Sequence, residues 1–226
     1  MVDDSFFREV NEELRTDRVK EFWRRYAPYI IALAVAVVLA TAAWRTYDWW
    51  SARQASRSGD QFLVALNLAR TGKTDDALKA LEALEKTGYG DYGVLARMRA
   101  ATVLANKGDD AGAVKGFDAV AADNEVPAAI RDMAQLRAAY ILVDSGSYED
   151  VARHAEPLSA DGNPFRHSAR EALGLAAWKK GDTADAAKLF NEIANDGGAP
   201  ANLRQRADIM LGLLRADGVK IGNAAG

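Results

Sequence analysis

Residues 95–120 read LARMRAATVLANKGDDAGAVKGFDAV: one apolar-periodic stretch, a turn at Gly108-Asp109, and a second apolar-periodic stretch. Apolar residues three and four positions apart mark each stretch as an amphipathic helix. The pattern recurs around Gly72-Lys73, Gly146-Ser147 and Gly181-Asp182, with a last turn signal at Gly218. These five glycines stand 36, 38, 35 and 37 residues apart. The second helices are TDDALKALEAL, DAGAVKGFDAV, YEDVARHAEPL and TADAAKLFNEI; the first include AQLRAAYILVD and REALGLAAWKK. Gly88, Gly90, Pro127, Pro164 and Pro200 sit in the longer breaks between units. No alternating β-type run exceeds a few residues. A period near 36 built from helix, glycine turn, helix and break predicts an all-α solenoid of about four helix-turn-helix units. A further helix near 201–216 lacks a partner after it and is expected to cap the array.

Upstream the chain changes character. Tyr26 to Trp44 reads YAPYIIALAVAVVLATAAW, a run without charge between Arg24-Arg25 and Arg45. As a helix it reaches roughly 28 Å, close to a bilayer's hydrocarbon core. Trp23, Tyr26 and Tyr29 lie at one edge and Trp44, Tyr47, Trp49 and Trp50 at the other, as interfacial belts require. A membrane anchor is therefore expected. Arg15, Arg18, Lys20, Arg24 and Arg25 precede it, against Arg45, Arg53 and Arg57 after it, which favours a cytoplasmic N-terminus. A cleaved signal peptide competes, since Ala40-Thr41-Ala42 matches a cleavage site. The long acidic region before the run argues for an uncleaved signal anchor instead.

The expected organisation is a cytoplasmic amphipathic tail at 1–25, a transmembrane helix at 26–44 and a juxtamembrane helical linker at 45–58. The repeat domain follows at 59–218, then a disordered tail at 219–226. In the first tail Phe7, Val10, Leu14, Val19, Phe22, Trp23 and Tyr26 form a narrow apolar stripe. It suits a helix on the membrane surface or on a partner, while a disordered charged tail explains the composition too. Pro28 is placed for the first turn of the spanning helix, where the chain is expected to bend.

Composition removes several function classes. The 226 residues hold no cysteine, so disulfides, thiolate zinc sites and cysteine nucleophiles are absent. Of 29 Lys+Arg and 32 Asp+Glu, 6 and 7 precede position 45, leaving 23 and 25 beyond it. That balance gives no reason to expect nucleic acid. His154 and His167 stand in no metal spacing and read as surface or interface residues. Asp75-Asp76 and Asp109-Asp110 precede second helices, where carboxylates cap and meet the helix dipole. No catalytic motif, cofactor loop or metal set is found, so an enzyme, a cofactor, a metal and a small-molecule substrate are not expected.

Aligned on the turn glycines, the units resemble tetratricopeptide repeats. Ala77, Ala113, Val151 and Ala186 take the small position of the second helix, and Leu81, Phe117, Ala155 and Phe190 its large position. Ala65, Ala101, Ala139 and Gly174 fall where the first helix needs a small residue. The pattern departs at Gln61, Arg97, Gln135 and Arg170, where an aromatic is expected, and Val151 and Ala155 weaken the third unit. The resemblance implies a right-handed solenoid.

Over nearly its full length the chain also resembles the YfgM-type ancillary translocon-subunit family. EFWRRYAPYIIALAV, ATAAWRTYDWWSARQ and YGDYGVLARMRAA carry that likeness. It implies a bacterial inner-membrane protein with one anchor and a periplasmic tetratricopeptide-like domain. It also implies as partners the Sec translocon, periplasmic chaperones and exporting chains. The expected function is thus a membrane-anchored protein-binding module. The alternative is a scaffold for cell-envelope or division complexes that never meets exporting chains.

In such arrays the inner wall is lined by first helices. Counting ten, six and three residues back from each turn glycine gives Phe62, Leu66 and Ala69, then Met98, Thr102 and Ala105. The third unit gives Met133, Leu136, Tyr140 and Val143, and the fourth Glu171, Leu175 and Trp178. An apolar wall with Met and aromatic residues suits a partner helix or an unfolded segment. The same residues become ordinary core if the counting is off by one or if the protein's own helices fill the groove. In the anchor, Ala32, Ala36 and Ala40 share one helix face, where small residues permit helix packing.

Overall fold

The computed structural model describes residues 3–219. Among them no strand occurs. The helices are α1 (Asp3–Arg70), α2 (Thr74–Thr87), α3 (Tyr92–Lys107), α4 (Asp110–Ala121) and α5 (Ala128–Ser145). Then come α6 (Tyr148–Ala155), a 3-10 turn at Glu156–Leu158, α7 (Arg166–Lys180), α8 (Thr183–Asn195) and α9 (Ala201–Ala216). The chain divides into two compact units between Ser56 and Arg57.

The first unit is α1 up to Ser56. Pro28 lies inside α1 rather than in the first turn of a separate helix, so no break marks residue 26 or residue 45. A proline removes one backbone bond and crowds the preceding turn, yet the helix continues on both sides of it. Between Trp23 and Arg70 α1 holds a window long and apolar enough to cross a membrane, and none of that window is buried. The Thr41 hydroxyl donates to Val37 O and that of Thr46 to Ala42 O, both at 2.8 Å, so these polar groups need no outside partner. Trp44, Tyr47, Trp49 and Trp50 are exposed after the apolar run. There the Arg53 guanidinium lies 5.5 Å from the Trp49 ring centre. The side chains of Phe7, Val10, Leu14, Val19 and Phe22 lie outside the described residues, as does the segment 220–226.

The second unit begins with the last turns of α1 and consists of helix pairs. The end of α1 pairs with α2, α3 with α4, α5 with α6, and α7 with α8, and α9 closes the array. The pairing follows from small residues meeting large ones. Ala65, Ala101 and Ala139 of the first helices are fully buried, as are Ala77, Ala113, Val151 and Ala186 of the second. Gly174 is buried against Phe190: a Cβ built there would stand 3.0 Å from Phe190 Cζ. The large positions Leu81, Phe117 and Phe190 are likewise buried. The third unit carries Ala155 there, and its core is completed by Leu136, Leu158 and Leu173.

The turns follow from backbone chemistry. Gly108 adopts φ 86° and Gly181 φ 89°, the left-handed region open to glycine. Each lets the next residue donate back across the helix end, Asp109 N to Leu104 O and Asp182 N to Ala177 O. Gly146 differs, with φ −111°. Its need is space, because an added Cβ would lie 3.0 Å from Leu142 Cδ2. Asp109, Ser147 and Asp182 then cap the second helices, accepting from Gly112 N, Asp150 N and Asp185 N. Asp75 is not a cap: it pairs with Lys107 of the next unit at 2.8 Å. Val219, expected to open a disordered tail, packs against the last core cluster and donates to Leu214 O.

Candidate protein-binding surface

Where an aromatic is expected early in each first helix, two arginines substitute for its packing with ion pairs. Arg97 reaches Asp123 at 2.6 Å and Ala119 O at 2.7 Å, joining α3 to the end of α4. Arg170 pairs with Asp161 and, at 3.4 Å, with Glu192 of α8. Charge stitches these pairs together where ring packing does not.

Three buried ionisable groups lie at helix junctions. His154 is buried, with Nδ1 2.8 Å from Asp150 O and Nε2 2.8 Å from Asp118 Oδ1, so α6 is tied to α4. His167 is 4% exposed and places Nε2 2.6 Å from Asp196 Oδ2. Both histidines are interface residues and neither is a surface residue. His167 and then the Gly198 amide and Arg166 hold the Asp196 carboxyl well below the usual carboxylate range. Glu171 is 4% exposed and accepts from Arg206 Nε and Nη2 at 2.5 and 2.7 Å and from the Tyr140 hydroxyl at 2.6 Å. Burial, then the hydrogen bond to Glu171, pushes the Tyr140 hydroxyl above the ordinary phenol range.

These contacts correct part of the wall read from spacing. Leu136 is 9% exposed and belongs to the third unit's core. Ala155 and Leu136 belong to the same core cluster. Glu171 is buried in its network, and Tyr140 turns its hydroxyl to it. Phe62, Met98, Val143 and Leu175 are half-buried and pack on successive core clusters, Phe62 also meeting the edge of the Tyr92 ring. Met133 at 36% and Trp178 at 42% exposure remain open to solvent.

The structure gathers the rest at recesses between successive units. One of about 450 Å³ is lined by Leu66 and Ala69 of α1, Thr74 of α2, and Arg99 and Val103 of α3. A second of about 280 Å³ takes Thr102 and Ala105 of α3, Phe117 of α4 and Arg137 and Tyr140 of α5. A third of about 250 Å³ takes Val143 of α5, Tyr148 of α6 and Lys179 and Lys180 of α7. Each thus recruits the first helix of two neighbouring units, as concave solenoid surfaces do. Counting apolar positions alone missed Arg99 and Arg137. Both stand nine residues before their turn glycine, and that recurrence was the available signal. Among the described residues no group of three or more His, Cys, Asp or Glu is placed to hold a metal ion.

Ala32, Ala36 and Ala40 all lie on the exposed surface of α1. Comparison with curated proteins returned no match. Two solved structures share the fold, both of nearly identical TPR-like repeats from a Podosopora anserina protein assigned as a kinesin light chain. They superpose with a TM-score of 0.54 at 17% and 18% identity, covering 73% of this chain and 88% of theirs. The family profile described as tetratricopeptide repeat-like domain matches residues 20–211, taking in the apolar segment as well as the helix pairs. The chain belongs to the tetratricopeptide repeat-like domain family.

Proposed function

We propose that this protein is a membrane-anchored protein-binding module on the outer face of a bacterial inner membrane, accessory to the Sec translocon and to periplasmic chaperoning of exported chains. The observation that carries the reading is the joining, in one chain, of an unburied apolar helix with aromatic edges to a tetratricopeptide-like array. An anchor raises the local concentration of the array at the membrane, so modest contacts with a neighbouring complex suffice. The wall between units supplies the contact surface, with Met133 and Trp178 as exposed anchors. Ala32, Ala36 and Ala40 are proposed as the face on which the spanning helix meets another helix.

Photo-crosslinking from Trp178 in intact cells, followed by identification of the adducts, tests this reading. Translocon subunits, chaperones or exporting chains are expected. Adducts confined to division or cell-wall proteins would replace it with a scaffold role. Protease added to spheroplasts should remove the repeat domain and leave a small embedded fragment; a domain shielded until lysis would overturn the topology.

A further inference from the structure

Just beyond its apolar run, α1 carries two arginines that no carboxylate neutralises. Arg45, Trp49 and Arg53 recur every four residues and so share one side of the helix. All three are exposed, and among the described residues neither arginine forms an ion pair, the neighbouring Asp48 included. The Arg53 guanidinium lies 5.5 Å from the Trp49 ring centre, one turn back towards the apolar run. Helical side chains lean towards the N-terminus, so this charge stands about 5 Å nearer the run than its own Cα. By rise per residue, Trp49 follows Trp44 by about 8 Å. The polar layer of one bilayer leaflet is about 5–8 Å deep. With the run filling the hydrocarbon core, the guanidinium therefore reaches the depth of lipid phosphates. The ring covers one face of it and leaves the N–H fork at its edge for an anion.

We propose that Arg53, seated on Trp49, and Arg45 bind the phosphate of an acidic phospholipid in the leaflet around this end of the run. The proposal rests on the reading of α1 as a membrane anchor and gives that anchor a lipid preference. A zwitterionic lipid brings its own ammonium to its phosphate, whereas two arginines without counter-ions favour a headgroup of net negative charge. Trp44, Tyr47, Trp49 and Trp50 set exposed rings around the arginines. Such rings suit the region between headgroup and acyl chain, and a free anion makes no use of them.

The test uses the full chain in phosphatidylcholine vesicles holding traces of phosphatidylglycerol or phosphatidylcholine with the same photoreactive group. Adducts on residues 45–56 are counted by mass spectrometry, which sets aside the basic cluster at the other end of the run. The phosphatidylglycerol analogue should be preferred there, and Arg53→Gln should lower that preference roughly fivefold. Trp49→Leu keeps both charges but removes the seat, so the preference should fall part of the way. Arg53→Lys, with its charge but no planar fork, should do the same. An equal preference in the original chain and Arg53→Gln overturns the proposal. So does a Trp49→Leu chain with undiminished preference, which would leave only diffuse attraction between charges. Inorganic phosphate replacing chloride at equal ionic strength should change nothing; loss of the preference would assign the arginines to a free anion. Flotation with the vesicles separates the two claims. A chain that floats but shows no preference sinks this site and leaves the anchor standing. A chain that stays out of the vesicles sinks both.

Discussion

The Tyr140 hydroxyl donates to Glu171 Oε2 at 2.6 Å, joining α5 to α7 across a unit boundary. Arg206 of α9 closes on the same carboxylate. Two units and the capping helix therefore share one buried charge. Loss of its two partners should differ in cost. Tyr140→Phe removes one hydrogen bond to a carboxylate and should cost about 1.5 kcal/mol. Arg206→Ala leaves a buried carboxylate without its counter-ion and should cost about 3 kcal/mol. Urea unfolding of both variants checks the ranking, and equal costs would refute it.

Tyr140→Glu sets a second carboxylate against Glu171. It should destabilise the domain by about 3 kcal/mol or more, whereas Trp178→Glu on an exposed position should change stability little. Thermal melting of the two single variants separates a packed position from an open one. A Tyr140→Glu chain that melts normally would return Tyr140 to the open wall.

Raising the pH should act on the same network. The Tyr140 hydroxyl titrates above its unfolded value because burial and Glu171 oppose its ionisation. Its contribution to stability is complete below about pH 10 and falls as the pH rises further. Tyr140→Phe should flatten that alkaline decline in stability. An unchanged slope would remove Tyr140 as its source.

Acid acts through Asp196. Its carboxyl is depressed in the folded chain by His167, Gly198 and Arg166, so the unfolded chain takes up the proton first. The stabilisation is present above about pH 4 and is lost as the pH falls below that value. Asp196→Asn should therefore lower stability at pH 7 and weaken its dependence on pH below about 4. Parallel stability–pH curves for the two chains would contradict this.

Gly174 should resist substitution. Its missing side chain makes room for the Phe190 ring, with ring carbons 3.0 to 3.2 Å from a built Cβ. Gly174→Val overfills a junction where both sides are buried and should cost about 1–3 kcal/mol. Adding Phe190→Leu should recover part of the loss if the clash is the cause, as a double-mutant cycle will read.

What could be read from the sequence was whatever depended on local period. The turn glycines located the helix pairs, and the likeness to tetratricopeptide repeats put Ala77 and Ala113 at the small position and Leu81 and Phe117 at the large one, all four of which are buried. The wall was less legible. Leu136 looked like its neighbours in the count, yet it is buried in the third unit's core with residues of two other helices, Ala155 and Leu173. Glu171 and Arg206 lie 35 positions apart, and no local pattern announces such a pair. The boundaries at 26 and 45 carry composition but no backbone signal, because a helix that continues needs no cap.

The helix pairs touch mainly the pairs on either side, through junctions such as Asp75 with Lys107 and Asp118 with His154. The consequence is evolutionary. An in-frame duplication or deletion of about 36 residues, cut at equivalent turns, creates one new junction and leaves the others as they were. The reach of the array can thus change in whole steps through recombination, with point substitution needed only at the seam.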